Sequence, residues 1–309
     1  MEQCVYYKLQ IPKFSFPIHT NQVSLIEEKC TIQSMSKNIN IQDHSISREM
    51  FTLVYDPELD YYITQPIPKN IAAYYESDVY ISHTDSIDSI KDKLYQFVKK
   101  INLRKKIKLI DALYHPHKTV LDIGAGTGDF LKAAENYGWN ISGVEPNSKA
   151  RQLALNKNIS LAANIQEISD KRFDVITLWH VLEHLPDLDS DIQKFKQLLN
   201  PKGTLVIAVP NYKSYDAKHY KEFWAAYDVP RHLYHFSQNS INRIFSKYDF
   251  QLLATKPMVF DSYYVSLLSE KYKTGNHNFF KAFLYGTLSN ISAYFTKEHS
   301  SIIYILKKS

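Results

Sequence analysis

The stretch "VLDIGAGTGDF", residues 120–130, sets the fold of this chain because it places three of the eight glycines within five positions. Apolar and β-branched residues lead into Gly124, and "FLKAAENYGW" then continues beyond Gly128 with the apolar spacing of a helix. The stretch therefore predicts a strand, a tight turn and a helix. Glycine tolerates positive φ in such a turn and lets a ligand approach the main chain. The start of the helix points free N–H groups and partial positive charge at that ligand.

The spacing of the glycines excludes two common phosphate-binding turns. A P-loop needs four residues between its glycines and a Lys-Ser/Thr pair after the last one, whereas Asp129 and Phe130 follow here. The dinucleotide turn needs G-x-G-x-x-G, whereas the order here is G-x-G-x-G. A second apolar stretch, "ISGVEPN", contains Glu145, whose carboxylate can accept both hydroxyls of a ribose. Together the two stretches predict a nucleoside pocket without a phosphate partner.

These residues resemble the class I S-adenosylmethionine-dependent methyltransferases. "VLDIGAGTG" and "GVEPN" are similar to the first two motifs of that family, "ANIQEI" to its adenine contact, and "FDVITLWHVLEHLPD" and "LNPKGTLVIAVPN" to its fourth and fifth strands. The resemblance covers residues 107–260 and implies S-adenosylmethionine as the cofactor. It places the donor on Asp122, Gly124, Ala125, Gly126, Gly128, Glu145, Pro146, Asn164, Ile165, Trp179 and His180.

The resemblance implies an α/β fold with a seven-stranded Rossmann-like sheet, whose last two strands pair antiparallel at its edge. "FQLLATKPMVF" and "SIIYILKK" predict these two strands, and the segment between them is helical in pattern. We predict a small α+β accessory region over residues 1–84 and a methyltransferase domain over residues 85–309. Within that domain we predict an acceptor-side loop at 211–236 and a helical insertion at 261–299, before the last strand.

The N-terminal region differs in composition, because residues 1–123 contain no glycine. "MFTLVYD" and "LDYYITQP" predict a hairpin, "IPKNIAAYYESDVY" a short helix, and residues 85–113 a longer one. Bacterial relatives with the later "DVPRHLYHFS" sequence carry a cysteine-rich zinc ribbon before such a passage. This chain has "YDPELDYY" there, so we expect no zinc. The resemblance implies that Tyr80 and His83 close over the cofactor; packing in the core is the alternative.

Composition and charge are those of a soluble globular protein: 309 residues, 44% hydrophobic, 22% charged, with a net charge of +5. The densest basic segment, "KKINLRKKIK" at 99–108, is interrupted by apolar residues as the buried side of a helix would be. We interpret it as a solvated helix face and expect no nucleic-acid partner. Cys4 and Cys30 form no C-x-x-C pair, which suits a reducing cytoplasm.

One segment raises the question of a membrane. No run of 18 apolar residues predicts a membrane span. "FFKAFLYGTLSNISAYF" at 279–295 is aromatic enough to lie on a bilayer surface, but it carries little basic charge. We therefore interpret it as a lid or a packing helix.

The sequence "YDVPRHLYHFS" follows the fifth strand, on the side where the resemblance places the acceptor. It brings Asp228, Arg231, His232 and His235 within eight residues. As a catalytic site, these residues offer His232 or His235 as the general base and Arg231 as an anion clamp. The alternative is structural: Asp228 and Arg231 form an ion pair, and the histidines bond to backbone carbonyls. Both interpretations stay open at this point.

The sequence "HVLEH" at 180–184 matches the H-x-x-E-H pattern of zinc peptidases. The resemblance instead places it beside the transferred methyl group, with His180 lining the donor pocket. Glu183 and His184 are then structural or close to the acceptor. A divalent ion held by His180, Glu183 and His184 is an alternative, but we predict no metal.

Missing motifs narrow the acceptor. No Asp/Asn-Pro-Pro-aromatic turn follows the fourth strand and neither cysteine lies in the core, so the signatures of methylation on a flipped base are missing from the sequence. We predict a cytoplasmic methyltransferase that acts on oxygen or nitrogen of a small-molecule or glycan-type metabolite. Ubiquinone-type O-methylation is the nearest analogy. An inactive donor-binding partner module and an RNA or protein methyltransferase are the alternatives, and the oligomeric state stays open.

Overall fold

The fold comes from a computed structural model, which describes residues 37–75, 90–113, 116–168 and 171–309. The chain from Asn38 to Ser309 forms one compact unit. Tyr80 and His83 lie outside the described residues, so their role over the cofactor stays a prediction. The predicted domain boundary at residue 84 lies outside them as well.

A small antiparallel sheet opens the described chain. Its first three strands are β1 (Ile39–Gln42), β2 (Met50–Asp56) and β3 (Tyr61–Gln65), and they are followed by a single 3₁₀ helix, Ile71–Tyr75. β2 and β3 pair antiparallel, as expected for the predicted hairpin. Alternate residues of β2 are buried, because side chains point to opposite faces of a strand and only one face packs on the protein.

The rest of the chain alternates helix and strand. In chain order the elements are α1 (Ile90–Asp111), β4 (Thr119–Ile123), α2 (Asp129–Asn136), β5 (Asn140–Val144), α3 (Ser148–Leu155), β6 (Phe173–Trp179), α4 (Leu188–Leu198), β7 (Leu199–Pro210), α5 (Tyr215–Tyr220), β8 (Tyr234–His235), α6 (Gln238–Ser246), β9 (Phe250–Pro257), α7 (Asp261–Thr274), α8 (Phe279–Thr296) and β10 (Ser301–Lys308). The strand, tight turn and helix predicted from the glycine stretch are β4, its turn and α2.

The large sheet has the strand order β5-β4-β6-β7-β10-β9. β5, β4, β6 and β7 run parallel, while β10 is antiparallel to both β7 and β9, as predicted for the last two strands. In the described residues this sheet has six strands. A single parallel bridge from Val144 to Ala162 stands beyond β5, where the seventh strand was expected. The Rossmann-like α/β fold is thus confirmed with a shortened outer edge.

The middle of this sheet is apolar because helices cover both of its faces. β6 is buried over six of its seven residues, and the apolar stretch of β7 from Leu205 to Val209 is fully buried. Such near-continuous apolar runs are typical of central parallel strands. Glu145 and His180 follow directly after β5 and β6, at the carboxyl edge of the sheet where ligands bind in open α/β folds.

The small sheet is joined to the chain that follows β7. Its fourth strand is β8, in which His235 pairs with Tyr62. Asp60, in the turn before β3, accepts hydrogen bonds from the hydroxyls of Tyr212 and Ser237 and forms an ion pair with Lys213. These bonds hold the pKa of Asp60 below its usual value although burial opposes them. The hairpin is therefore anchored to the acceptor-side loop.

Two helices, α7 and α8, fill the interval between β9 and β10, where the helical insertion was predicted. They pack closely because Gly286 of α8 lies against Tyr263 of α7, where an added Cβ would stand 2.7 Å from the ring. Among the described residues, no helix combines the length and the apolar character needed to cross a membrane.

Candidate active site

The turn after β4 has the backbone that its glycines predict. Gly124, Gly126 and Gly128 all have positive φ, at 68°, 55° and 75°. A Cβ on Gly128 would come within 3.2 Å of Ala154 and Ile159, so this glycine is needed for packing. A Cβ on Gly126 would meet no atom of the described residues within 4 Å. The turn is therefore packed on one side and open above Gly126.

Glu145, at the end of β5, is fixed beside that opening. Its Oε2 accepts the N–H of Gly126 at 2.9 Å, and its Oε1 accepts the N–H of Asn147 at 2.9 Å. Arg151 holds the loop by donating to the carbonyl oxygens of Glu145 and Pro146. The structure thus brings together the predicted glycine turn and the predicted ribose carboxylate.

Asn164 and Ile165, the predicted adenine contacts, lie near the same edge. The chain reaches them from Ala162, whose carbonyl accepts the N–H of Glu145 at 2.9 Å. Asn164 caps a short 3₁₀ helix and accepts the N–H of Glu167 at 3.2 Å, while Ile165 packs on the core. The side of the pocket that would take a nucleobase is therefore formed by residues from two neighbouring strand ends.

The floor of the site carries an acidic and a basic group. Asp122 is buried and accepts the hydroxyl of Thr177 at 2.6 Å. Burial raises the pKa of the Asp122 carboxyl, and it lowers the pKa of the Lys106 ammonium, which attracts that carboxyl. The Lys106 Nζ lies 4.3 Å from the ring centroid of Trp179. The sequence-based interpretation missed Lys106, because it counted this residue in a solvated basic face.

Trp179 and His180 end β6 next to the glycine turn. The indole N–H of Trp179 is buried and has no hydrogen-bond partner among the described residues. His180 has a positive φ of 58° and turns its ring toward the insertion, where its Nε2 lies 2.9 Å from Oδ2 of Asp261. Val181 packs over Gly124, since an added Cβ there would lie 2.5 Å from its Cγ2. These residues form the wall between the donor turn and the insertion.

Glu183 is the most enclosed charged group of this wall, with 0% of its surface exposed. Neither carboxylate oxygen has a hydrogen-bond partner among the described residues, and the nearest cation is His180, with its Nδ1 3.4 Å from Oε1. Burial alone would lower the pKa of His180, but Asp261 and Glu183 outweigh it and raise that pKa to about 10. Burial alone would raise the pKa of Glu183, but the surrounding histidines lower it. His180 is therefore an imidazolium at neutral pH.

Ligand atoms of Glu183, His184 and His232 lie within 4.8 Å of one another, which is the spacing of residues that could hold a metal ion. The sequence suggested His180, Glu183 and His184 as alternative metal ligands. In the structure, His232 takes the place of His180 in this group. His184 Nδ1 lies 3.0 Å from both the hydroxyl of Tyr75 and the carbonyl of Arg231. The prediction that no metal binds stays a prediction.

The acceptor-side loop shows the geometry of the structural alternative. Arg231 and Asp228 form a two-point ion pair, of which the Nε–Oδ2 bond is 2.9 Å. Arg231 also donates to Ser45 at 3.1 Å. His232 is 8% exposed and its Nδ1 donates to the carbonyl of Ala226 at 2.9 Å. Burial lowers the pKa of His232 to about 4, and His184 adds to that effect.

His235 lies in β8, away from the glycine turn. The hydroxyl of Thr64 donates to the carbonyl of His232 at 2.7 Å, so the Nε2–H of His235 is the donor in its 2.9 Å bond to that hydroxyl. Burial lowers the pKa of His235. His235 is thus a buried residue whose contacts join the small antiparallel sheet to the acceptor-side loop.

The sequence model of a methyltransferase domain family matches residues 90–255, more than half of the chain. The chain belongs to this family. The match confirms the resemblance to the methyltransferase family drawn from the glycine stretch, and the mostly parallel sheet is the fold that this resemblance implies.

Curated relatives match part of this chain. It is 35% identical over 108 residues to the ubiquinone biosynthesis O-methyltransferase of Actinobacillus pleuropneumoniae serotype 7 (strain AP76) and 31% identical over 113 residues to that of Pasteurella multocida (strain Pm70). Each match covers 30% of this chain and 46% or 47% of the relative. The chain thus spans about half the length of these curated relatives.

Among solved structures, the chain resembles magnesium protoporphyrin IX methyltransferase from Synechocystis PCC 6803 with bound SAH. The TM-score is 0.53 at 13% identity, and the likeness covers 78% of this chain and 100% of that one. A likeness at this identity concerns the fold alone.

Proposed function

We propose that the protein transfers the methyl group of S-adenosylmethionine to an oxygen or nitrogen atom of a small-molecule or glycan-type metabolite. The observation that carries this proposal is the Glu145 carboxylate fixed beside the open space above Gly126. Each carboxylate oxygen accepts one backbone N–H and keeps a further lone pair, so the pair of oxygens can accept the two hydroxyls of a ribose.

The other end of the donor is matched by the floor of the site. S-adenosylmethionine ends in an amino acid, which carries an ammonium and a carboxylate. Asp122 offers a carboxyl group for that ammonium and Lys106, beside Trp179, an amino group for that carboxylate. The unpartnered indole N–H of Trp179 offers one further donor. The residues present therefore fit the cofactor at both of its polar ends.

Methyl transfer from a sulfonium is an in-line displacement, so the protein must mainly align the acceptor with the methyl group and exclude water. Alignment alone can supply about 7–11 kcal/mol of the barrier. We assign His180 a positioning role in this alignment. As an imidazolium held by Asp261 and Glu183, it shapes the pocket wall and is no proton acceptor at neutral pH.

General base catalysis is the weaker part of the proposal. A base works best when its pKa lies near the working pH, whereas the pKa of His232 is lowered to about 4 and His235 donates to Thr64. We therefore propose that alignment carries the reaction and that neither of these histidines is its principal base. The name of the curated relatives favours oxygen as the methylated atom.

The nucleic-acid alternative loses its main support. Two lysines of the basic segment are engaged within the protein: Lys99 forms a 2.7 Å, partly exposed ion pair with Asp129, and Lys106 lies over Trp179. An ion pair and a pocket contact leave fewer free cations for phosphates. The alternative of a donor-binding module without activity can be tested only by measuring methyl transfer.

The test is calorimetric titration of the full chain with S-adenosylmethionine and S-adenosylhomocysteine, with ATP as the control. We expect stoichiometric binding of the first two and none of ATP. Labelled methyl transfer is then screened on phenols, quinols and sugar nucleotides. Absence of donor binding to a folded chain contradicts the donor site, whereas binding without transfer to any acceptor class supports the inactive module.

A further inference from the structure

Helix α8 faces the protein with its small residues and solvent with its aromatic ones. Its buried residues are Ala282, Gly286, Ser289 and Ala293. The exposed side carries large side chains with most of their surface in solvent: Phe280 78%, Phe283 66%, Tyr294 71% and Phe295 77%. Leu284 and Ile291 extend the same side.

These exposed residues form one continuous stripe. Residues three, four and seven positions apart lie on the same face of a helix, and Phe280, Leu284, Ile291 and Tyr294 follow that spacing. Isolated exposed apolar residues are common, but a contiguous aromatic patch marks a surface that meets a protein, a membrane or a ligand. The small residues and Tyr285, which stacks on His219 with ring centroids 3.7 Å apart, pack on the protein, whereas the residues of the stripe stay exposed.

The exposed charges of the insertion that carries the stripe are positive. Lys271, Lys273, Lys281 and Lys297 are exposed, and none of them forms an ion pair with a described acidic residue. The Lys297 Nζ lies 5.4 Å from the ring centroid of Tyr294, at the end of the stripe.

The acidic residues of the insertion do not offset this charge. Asp261 is bonded to His180, and Glu270 is buried beside Tyr220. Glu298 accepts bonds from Asn211 and Gln238. The insertion that carries the aromatic stripe therefore exposes lysines outside ion pairs, whereas its described acidic residues are buried or hydrogen-bonded.

We propose that this aromatic face of α8 docks on the surface of an anionic lipid bilayer. Helices that lie in the membrane interface combine buried Phe, Leu and Trp with lysines that meet anionic headgroups. A second copy of the chain is a poorer occupant, because pairing two such faces would bring their lysines together.

The docking face is held in place by the rest of the insertion. Ser262 donates to the carbonyl of Gly286 at 3.2 Å, and Asn290 donates to the carbonyl of Val259 at 3.1 Å. Asp261 of α7 in turn bonds to His180. These bonds hold the aromatic face of α8 exposed in the folded protein. The face belongs to the same insertion that contacts the candidate active site through Asp261.

Vesicle flotation of the full chain tests this proposal. Vesicles of phosphatidylcholine and phosphatidylglycerol in equal parts are compared with pure phosphatidylcholine, at low and at high salt. We expect the protein to float with the anionic vesicles at low salt and to be released as salt screens the lysines. Phe280→Ser with Phe295→Ser should weaken partitioning about tenfold or more, since two large apolar side chains leave the interface.

Matched variants test whether vesicle partitioning depends on this face or on exposed apolar and basic residues anywhere on the protein. Tyr137→Ser with Leu155→Ser removes two exposed apolar residues elsewhere and should leave partitioning unchanged. Lys271→Gln, Lys273→Gln and Lys281→Gln together should lower it, whereas Lys100→Gln, Lys108→Gln and Lys202→Gln together should not.

Two results overturn the proposal. One is a wild-type chain that floats with neither vesicle type. The other is a dimer in solution that becomes a monomer in the Phe280→Ser, Phe295→Ser variant, which makes the face an interface between two copies. Fluorescence of a Phe283→Trp variant, quenched by brominated lipid, gives an independent readout: quenching supports the proposal, and its absence on bound protein contradicts it.

Discussion

The glycine turn at residues 124–128 and the histidine loop at residues 228–235 both come from conspicuous stretches of sequence, but their polar groups are engaged to different extents in the structure. At the turn, backbone N–H groups hold Glu145 beside open space above Gly126. In the loop, Asp228 is paired with Arg231 and His232 donates to a backbone carbonyl. A cluster of polar residues therefore indicates a binding site only when some of its donors or acceptors are left without a partner inside the protein.

The same contrast appears between two histidines on either side of Glu183. His180 has Asp261 as a second anionic neighbour, and its pKa is raised to about 10. His232 is more deeply buried, next to His184, and its pKa is lowered to about 4. Position relative to charge and solvent, and not residue type, decides which histidine carries a proton.

The largest effect on stability is expected from Asp228→Ala. This change leaves the buried guanidinium of Arg231 without its carboxylate, and breaking a buried pair costs about 3–5 kcal/mol in the free energy of unfolding. Asp249→Ala removes the carboxylate of an exposed pair with Lys196 and should cost about 1 kcal/mol or less. Urea unfolding measures both. Equal losses would contradict a structural role for the loop.

The next effect concerns the donor. Glu145→Ala should weaken S-adenosylmethionine binding about 100-fold, because charge-assisted hydrogen bonds contribute about 1.5–3 kcal/mol each. Calorimetric titration measures the change. Glu135→Ala, which removes an exposed carboxylate paired with Lys132, is the control and should bind as the wild type does. Unchanged affinity in Glu145→Ala would place the ribose elsewhere.

A pH-dependent effect is expected from Asp261→Asn, which removes one of the two anions that raise the pKa of His180. Because the folded-state pKa is raised, the stabilisation is fully present below the unfolded value of 6.5 and is lost as pH rises through about 10. The stability difference between wild type and variant should therefore shrink across that window. NMR titration, with His180→Gln to assign the signal, checks the pKa; an unchanged pKa in the variant would contradict the pairing.

The smallest effect is expected from His235→Gln. Losing the bond from His235 Nε2–H to Thr64 should cost about 1 kcal/mol in the free energy of unfolding. Donor affinity should stay unchanged. Thr64→Val should cost more, because it removes both the bond from His235 and the bond to the carbonyl of His232. A variant that keeps full stability but loses methyl transfer would make His235 the general base after all.

The parts of the fold that could be predicted from the sequence depend on neighbours in the chain. The strand, turn and helix around Gly126, the hairpin of β2 and β3, and the helical insertion follow from local spacing. The outer strand of the sheet was expected by resemblance and is reduced to the bridge at Ala162. An edge strand has one partner only, so the core constrains it less than a central one.

The donor side of the protein follows from the linear sequence, because glycines at fixed intervals dictate a backbone, and a carboxylate at the next strand end must lie at the same edge of the sheet. The three-dimensional packing selects which side chains the pocket and the surface use. Lys106 lies over the ring of Trp179, His232 comes close to Glu183, and α8 turns its aromatic face outward. Each depends on how distant elements pack, and linear spacing does not specify that packing.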